Sequence, residues 1–303
     1  MPTLSGFSYV RNGFTFGYPF LEAVQSALPL CDEFVIAVGD STDGTREALL
    51  ALGDPKIRIL DTVWDEERLR QKDGRLFAEQ CNAALQACTG DWLLHVQADE
   101  VLHEDDYPRL RQALTQAEAE PRVEALLLRF LNFIGGFTWV AQDRRFRLQE
   151  VRLMRNLPGL RAYKDSMGFR VYASEAAYQQ GQKGRKLRAR STDVRVFHYT
   201  LSRPPQAMQD KARYMGRFYH SEQELARDYA QANYDFHSRV GRVVRYAGAH
   251  PAVMQDFIAQ NTWPDPINPH LLRYKNLRHR LLSAYERLTG HRPWDHKNWI
   301  SVR

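Results

Sequence analysis

Cysteine is scarce in this chain, and its pattern excludes more than it offers. The three cysteines among 303 residues, Cys31, Cys81 and Cys88, are odd in number and fit no zinc-ligand spacing. Neither a disulfide framework nor a structural zinc site is expected. All three sit in apolar contexts and read as reduced core thiols of a cytosolic protein. Long hydrophobic runs are also missing. The best candidate, EALLLRFLNFIGGFTWVA, is broken by Arg129, Asn132 and two glycines, and falls short of the roughly 18 apolar residues that span a bilayer. The opening MPTLSGFSYVRNG has no basic stretch leading into an apolar one, so no secretion signal is expected. There is no Walker loop, no GxGxxG fingerprint, no internal repeat and no low-complexity tract.

What is present is ordinary for a globular chain: 44% apolar and 26% charged residues, enough length for a sizeable core, and room for two domains or one α/β unit with an appendage. Charge is unevenly spread. The first 150 residues carry 15 Lys and Arg against 24 Asp and Glu, and the remainder carries 27 against 12. An acidic first half and a basic second half suggest two jobs. A basic surface suits nucleic acid, anionic head groups or phosphorylated ligands, and charge alone does not choose among them.

The first half alternates strand and helix signals. Strands are expected at 6–10, 33–39, 56–62, 91–98 and 123–130. Helices are expected from Pro19 to Leu28, at 46–52 closed by Gly53, from Leu76 to Cys88, and from His103 onward. Repeated β–α–β units imply an α/β fold with a mainly parallel sheet. Ligands of such sheets bind at the carboxyl ends of the strands, where the polar turns VRN, GDSTDGT and QADE fall. After residue 150 the signal weakens. Residues 182–195 read as an exposed basic loop or hairpin, 194–201 as a strand, 204–231 as helical, and 268–290 as a helix with many basic residues on one face.

The segment GDWLLHVQADEVLHEDD (90–106) carries the most chemistry. Acids at the end of a buried strand suit a hard cation, Mg2+ or Mn2+, held through oxygens and bridging nucleotide phosphates. A plain helix cap by Asp99 or Glu100 is the competing reading. DSTDGT (40–45) opens a helix whose N-terminus favours an anion, and is also an ordinary turn.

Together FVIAVGDSTDGT, AEQCNAALQACTGDWLLHVQADEVL, RLMRN and FHY resemble glycosyltransferase family 2, the nucleotide-diphospho-sugar transferases of GT-A (Rossmann-like) fold. The resemblance is to bacterial cytosolic members, some of which build surface polysaccharide or lipopolysaccharide. It covers roughly residues 4–200. It implies a GT-A domain over 1–200, with a nucleotide-sugar half at 1–125 and an acceptor half at 126–200, followed by a mostly helical extension at 201–303. It implies that Val10, Arg11 and Asn12 touch the nucleotide base, and that Gly39, Asp40 and Asp43 read base and ribose. Asn82 would lie near the donor. Gln97, Ala98 and Asp99 match the Asp-x-Asp motif, with Asp99 as a ligand of Mn2+ or Mg2+ and His198 completing the shell. Three departures stand out: Gln97 replaces the first acid; Val38 and Gly39 stand where the family often has paired aspartates, with Asp40 one step later; and Cys81 replaces a usual arginine, with Arg75 as a substitute phosphate contact.

An inverting transferase needs a base to deprotonate the acceptor hydroxyl. Asp165 is the only acid in the acceptor-facing stretch 152–169, with Glu100 and Asp143 as fallbacks. Phe137, Trp139 and Trp263 suit sugar stacking or core packing. The run Lys183, Arg185, Lys186, Arg188 and Arg190 suits a phosphorylated acceptor, an anionic membrane or a solvated loop. The helix at 268–290 is expected to pack on the catalytic domain rather than lie on a membrane. The expected partners are a nucleotide-diphospho-sugar and a glycan, lipid-linked or other hydroxyl acceptor, without nucleic acid. The expected location is cytoplasmic, with peripheral contact to the inner face of an anionic membrane. A catalytically inactive binder of nucleotide sugar or glycan stays open because of Gln97. A sugar nucleotidyltransferase stays open on the shared sheet, although VRNGFTFGYP lacks the Gly-rich Arg/Lys loop that such enzymes carry after their first strand.

Overall fold

The computed structural model describes residues 2–65, 74–164, 168–230 and 233–302. The first half runs β1 (Leu4–Val10), α1 (Phe20–Ala27), β2 (Glu33–Val38), α2 (Thr45–Ala51), β3 (Ile57–Asp61), α3 (Arg75–Ala87), β4 (Trp92–His95), β5 (Glu100–Leu102) and α4 (Tyr107–Glu118). The second half continues with β6 (Ala125–Ile134), β7 (Trp139–Ala141), β8 (Gln149–Arg155), β9 (Leu160–Ala162), β10 (Phe169–Val171), α5 (Glu175–Gln179), β11 (Arg185–Lys186) and β12 (Arg188–Leu201). The remainder holds α6 (Pro205–Gly216), α7 (Glu222–Asp228), α8 (Phe236–Arg239), β13 (Val243–Arg245), α9 (Gln255–Gln260), α10 (Leu277–Thr289) and β14 (Ile300–Ser301).

The main sheet has the order β13-β7-β6-β8-β4-β1-β2-β3. Its β4-β1-β2-β3 side is parallel, as the repeated β–α–β units require. On the other side β8, β7 and β13 run antiparallel to their neighbours, while β12 pairs parallel to β6. The alternating apolar strands explain the layers. Phe34, Ile36 and Val38 of β2 share one core with α1 and α4. Val35 and Ala37 share another with α3, β9 and β10. The result is a sheet covered on both faces, the condition for near-continuous apolar strands. Gly6 is needed where β1 meets β2, because a Cβ there would lie 2.3 Å from the Phe34 ring.

Register places three loops at one edge. Val10 aligns with Val38, and Phe7 with His95. The chain therefore leaves β1, β2 and β4 at the same end of the sheet. Antiparallel pairing of β12 with β5 sets His198 opposite Glu100, and parallel pairing with β6 sets it beside Asn132.

Two expectations change in the second half. The basic stretch 182–195 is largely strand, as β11 and the start of β12. Its cations are also engaged: Arg185 and Arg188 pair with Glu124, Arg190 pairs with Glu120, and Lys186 donates to the Lys297 carbonyl. The stretch 204–231 is two helices, α6 and α7, separated at 217–221. After residue 201 the chain also adds strands to the sheet, since β13 pairs with β7 and β14 with β12.

Candidate active site

A cavity of about 310 Å³ lies over the carboxyl ends of the parallel strands. Tyr9, Val10 and Arg11 reach it from β1, and Gln97, Ala98 and Asp99 from the turn after β4. Thr200 of β12 and Lys211, Tyr214 and Met215 of α6 form the facing wall, with Tyr18, Trp64 and Phe77 completing the apolar lining. The α6 helix starts at Pro205, whose fixed φ suits a first helical turn. Its buried face carries Met208 and Lys211 inward.

Asp99 is the centre of the polar wall. It is buried, and its two oxygens face different partners. Oδ1 lies 3.7 Å from His198 Nε2, and Oδ2 lies 3.6 Å from Lys211 Nζ. Burial raises the Asp99 pKa, but Lys211, His198, Arg203 and a hydrogen bond from Thr200 outweigh it and hold the carboxyl below its ordinary value. Lys211 is pulled down to about 7, by burial first and then by Arg203, against the attraction of Asp99. It donates to the Thr200 hydroxyl at 3.2 Å and sits 4.6 Å over the Tyr18 ring. Tyr18 is pushed well above its ordinary value by burial and then by Asp99.

His198 is fixed from behind. Asn132 Nδ2 donates to the Arg147 carbonyl at 3.0 Å, which turns its Oδ1 toward His198 Nδ1 at 2.9 Å. This network assigns the proton to Nδ1 and leaves the Nε2 lone pair facing Asp99. Burial lowers the His198 pKa, which favours the neutral ring. Two electron-pair donors thus face each other with no proton between them. Their 3.7 Å separation is one that two metal–ligand bonds of about 2.1 Å can span. The pair fits a divalent cation. Among the described residues no cluster of three or more His, Cys, Asp or Glu side chains is placed to hold one, so any such ion draws further ligands from outside this pair.

The other expected residues divide. Arg11 lines the cavity, pairs with Asp40 at 2.9 Å and donates to the Tyr214 hydroxyl at 3.3 Å. Gly39 packs under Trp64, where a Cβ would lie 2.6 Å from the indole nitrogen. Asn12 and Asp43 staple the loops at the strand ends. Asn12 binds the Ser41 hydroxyl and the Thr42 amide, and Asp43 binds Thr15 and Thr45. Asn82 is buried and clamps α3 to β9, accepting from the Ala162 amide and donating to the Ala162 carbonyl and the Tyr178 hydroxyl.

Glu100 does not face the cavity. It is buried and makes a bidentate pair with Arg152, both contacts 2.7 Å. It is a positioning residue, since it also accepts from the Gln97 amide at 3.2 Å. Asp143 is buried and holds Arg145 and the Gly241 amide. Asp165 lies outside the described residues. Phe137 and Trp263 pack on each other, and Trp139 bonds Asp265, so these aromatics are packing elements.

Arg75 lines a second cavity of about 400 Å³ with Glu79, Lys164, Arg170 and Lys183, walled by Tyr163, Tyr172 and Tyr178. The start of α3 stands between the two cavities, with Phe77 lining the first and Arg75 and Glu79 the second.

Tyr18, Trp64, Lys211 and Tyr214 were not marked by any motif. Only the alternation of Lys211 and Tyr214 with Met208 and Met215 in a helical stretch hints that they face inward.

The architecture and this site define the class: an α/β fold with a mixed sheet, parallel through β4-β1-β2-β3, and a cavity that opens over the parallel strand ends. Residues 18–171 match the family described as glycosyl transferase family 2, and the chain belongs to that family. Among solved structures it is similar to S. aureus TarS 1-349, also solved in complex with UDP, at 16% identity and a TM-score of 0.35 over 51% of this chain and 47% of that chain. It is also similar to Mycobacterium tuberculosis glucosyl-3-phosphoglycerate synthase in complex with Mn2+, UDP and phosphoglyceric acid, at 17% identity and a TM-score of 0.29 over 43% of each chain. The aligned part thus spans less than half of each of these relatives. Comparison with curated proteins finds no match.

Proposed function

We propose that this chain is an inverting, metal-dependent transferase that moves a sugar from a nucleoside-diphosphate donor to an acceptor hydroxyl, in the synthesis of a surface glycan. The observation that carries the reading is Asp99 at the floor of the cavity, flanked by neutral His198 and by Lys211. Asp99 and His198 would hold a divalent cation, Mn2+ or Mg2+, which when bound would supply positive charge to the departing diphosphate. Lys211 lies on the opposite side of Asp99, and in its protonated form it orients a phosphate. Arg11 and Trp64 shape the base end, and Gln97 replaces a carboxylate with a neutral hydrogen-bonding group beside the ribose.

Asp165 is the proposed base. It takes the acceptor proton as the oxygen attacks the anomeric carbon from the face opposite the leaving group. The second cavity gathers Arg75, Lys164, Arg170 and Lys183 around one carboxylate, Glu79, and suits an anionic group on the acceptor. The proposed setting is cytoplasmic, consistent with three buried free cysteines.

The test is release of nucleoside diphosphate from a panel of nucleotide sugars, with and without Mn2+. Metal-dependent release by the native chain, lost in Asp99→Asn, supports the reading. Metal-dependent binding without any release across donors and acceptors favours the inactive binding protein that Gln97 keeps open.

A further inference from the structure

α10 wears its amphipathicity inside out. At about 100° per residue, Leu277, Leu281, Tyr285 and Leu288 fall within an arc of roughly 80°, and all point to solvent at 69%, 61%, 46% and 87% exposure. The inward face is the more polar one. It carries buried Ser283 and places Glu286 on Arg144 at 3.0 Å. An ordinary surface helix buries its apolar stripe; here a salt bridge seats the helix and the stripe is left outward.

The neighbourhood extends this pattern. Trp294, 78% exposed, follows just beyond the helix, and Leu271 and Ile300 are exposed nearby in sequence. Seven of the twelve exposed large hydrophobic residues in the described chain therefore fall between 271 and 300. Arg278 borders the stripe on one side, and Arg280 and Arg287 border it on the other. From 271 to 302 there are seven Lys and Arg against two acids, Glu286 and Asp295. No helix of the described residues is long and apolar enough to cross a membrane.

We infer that α10 and the following turn at Trp294 form a docking face for an anionic lipid surface, with the leucines entering the interface and the flanking arginines meeting head-group phosphates. This deepens the peripheral membrane contact raised by the sequence and is independent of the donor chemistry. Charge complementarity selects the occupant. A basic rim repels a second copy of itself, whereas an acidic bilayer satisfies the rim and the apolar stripe together. An indole beside the stripe suits the wet boundary of a bilayer, where one edge of the ring stays solvated.

The experiment is co-sedimentation of the full chain with vesicles of phosphatidylcholine alone or mixed with phosphatidylglycerol, at low and high salt. Analytical ultracentrifugation and nucleoside-diphosphate binding run in parallel. The inference predicts partition onto the mixed vesicles, weakened by salt, and reduced at least tenfold in L281E/L288E and in R280E/R287E. Both double variants change exposed side chains, and an unchanged far-UV circular dichroism spectrum and Tm show that they fold. Absence of partition by the native chain, or equal partition by both variants, overturns it. So does a salt-insensitive dimer that L281E/L288E abolishes without any vesicle binding, which makes the face a contact between copies. Loss of nucleotide binding by the native chain would instead contradict the transferase reading and leave this result standing.

Discussion

Asp99 places one oxygen toward His198 and the other toward Lys211, so a single carboxylate organises both positive elements proposed for the diphosphate. Asp99→Asn keeps the shape and removes the charge. It is expected to lower donor turnover by about 100-fold or more, the usual scale for deleting an electrostatic contact to a developing charge, with an unchanged far-UV circular dichroism spectrum. A turnover loss below tenfold would remove Asp99 from the mechanism. Lys211→Met is expected to raise the donor KM about tenfold or more, the weight of one charge-assisted hydrogen bond. In the same variant the Asp99 carboxyl loses its main positive neighbour and titrates higher. At this scale the sequence was partly legible. The strand-end turn after 96 has a plain cap as a competing reading, and it is the resemblance to the family's Asp-x-Asp motif that singles out Gln97, Ala98 and Asp99. Lys211 and Trp64 stayed hidden because they reach the cavity only through tertiary placement.

Among the elements, the β5–β8 junction holds the motif in place. Glu100 of β5 and Arg152 of β8 form a bidentate pair with both side chains buried, and Glu100 also holds the Gln97 amide. Glu100→Gln removes the carboxylate paired with a buried guanidinium and is expected to cost about 3 kcal/mol of unfolding free energy, read from urea melts, since Arg152 keeps Glu150 and the Val151 carbonyl as neighbours. A cost below about 1 kcal/mol would mean that the pair contributes little to the fold. The parallel half of the sheet was readable because EFVIAV and its neighbours are short apolar runs between turn signals. The second half was only partly readable: 194–201 reads as a strand, but Arg190 to Asp193 is a polar run within β12, and the cations before it read as an exposed loop until Glu120 and Glu124 are brought beside them from a distant part of the chain.

At the scale of the whole molecule, stability should carry the mark of Glu150. Burial pushes its carboxyl up from 4.5 to about 7, so the folded state binds its proton more tightly than the unfolded chain does. The native stability it supports is present below about pH 4.5 and is lost as pH rises through about 7. Native protein is therefore expected to lose Tm between about pH 5 and pH 7.5 relative to Glu150→Gln. A difference that does not change with pH would contradict the assignment. The acidic and basic halves seen in composition do not map onto one cavity each: the strand-end cavity takes Lys211 and Tyr214 from the basic half, and the second, cationic cavity takes Arg75 and Glu79 from the acidic half. The most direct test of the central claim is calorimetric titration of UDP, GDP, dTDP and CMP into the native chain and into Asp99→Ala, each with and without Mn2+. The structure predicts that at least one nucleoside diphosphate binds the native chain only with Mn2+, and that Asp99→Ala abolishes this binding. Binding of none of them with Mn2+ present, or equal binding by Asp99→Ala, would contradict the claim that this cavity is a metal-assisted donor site.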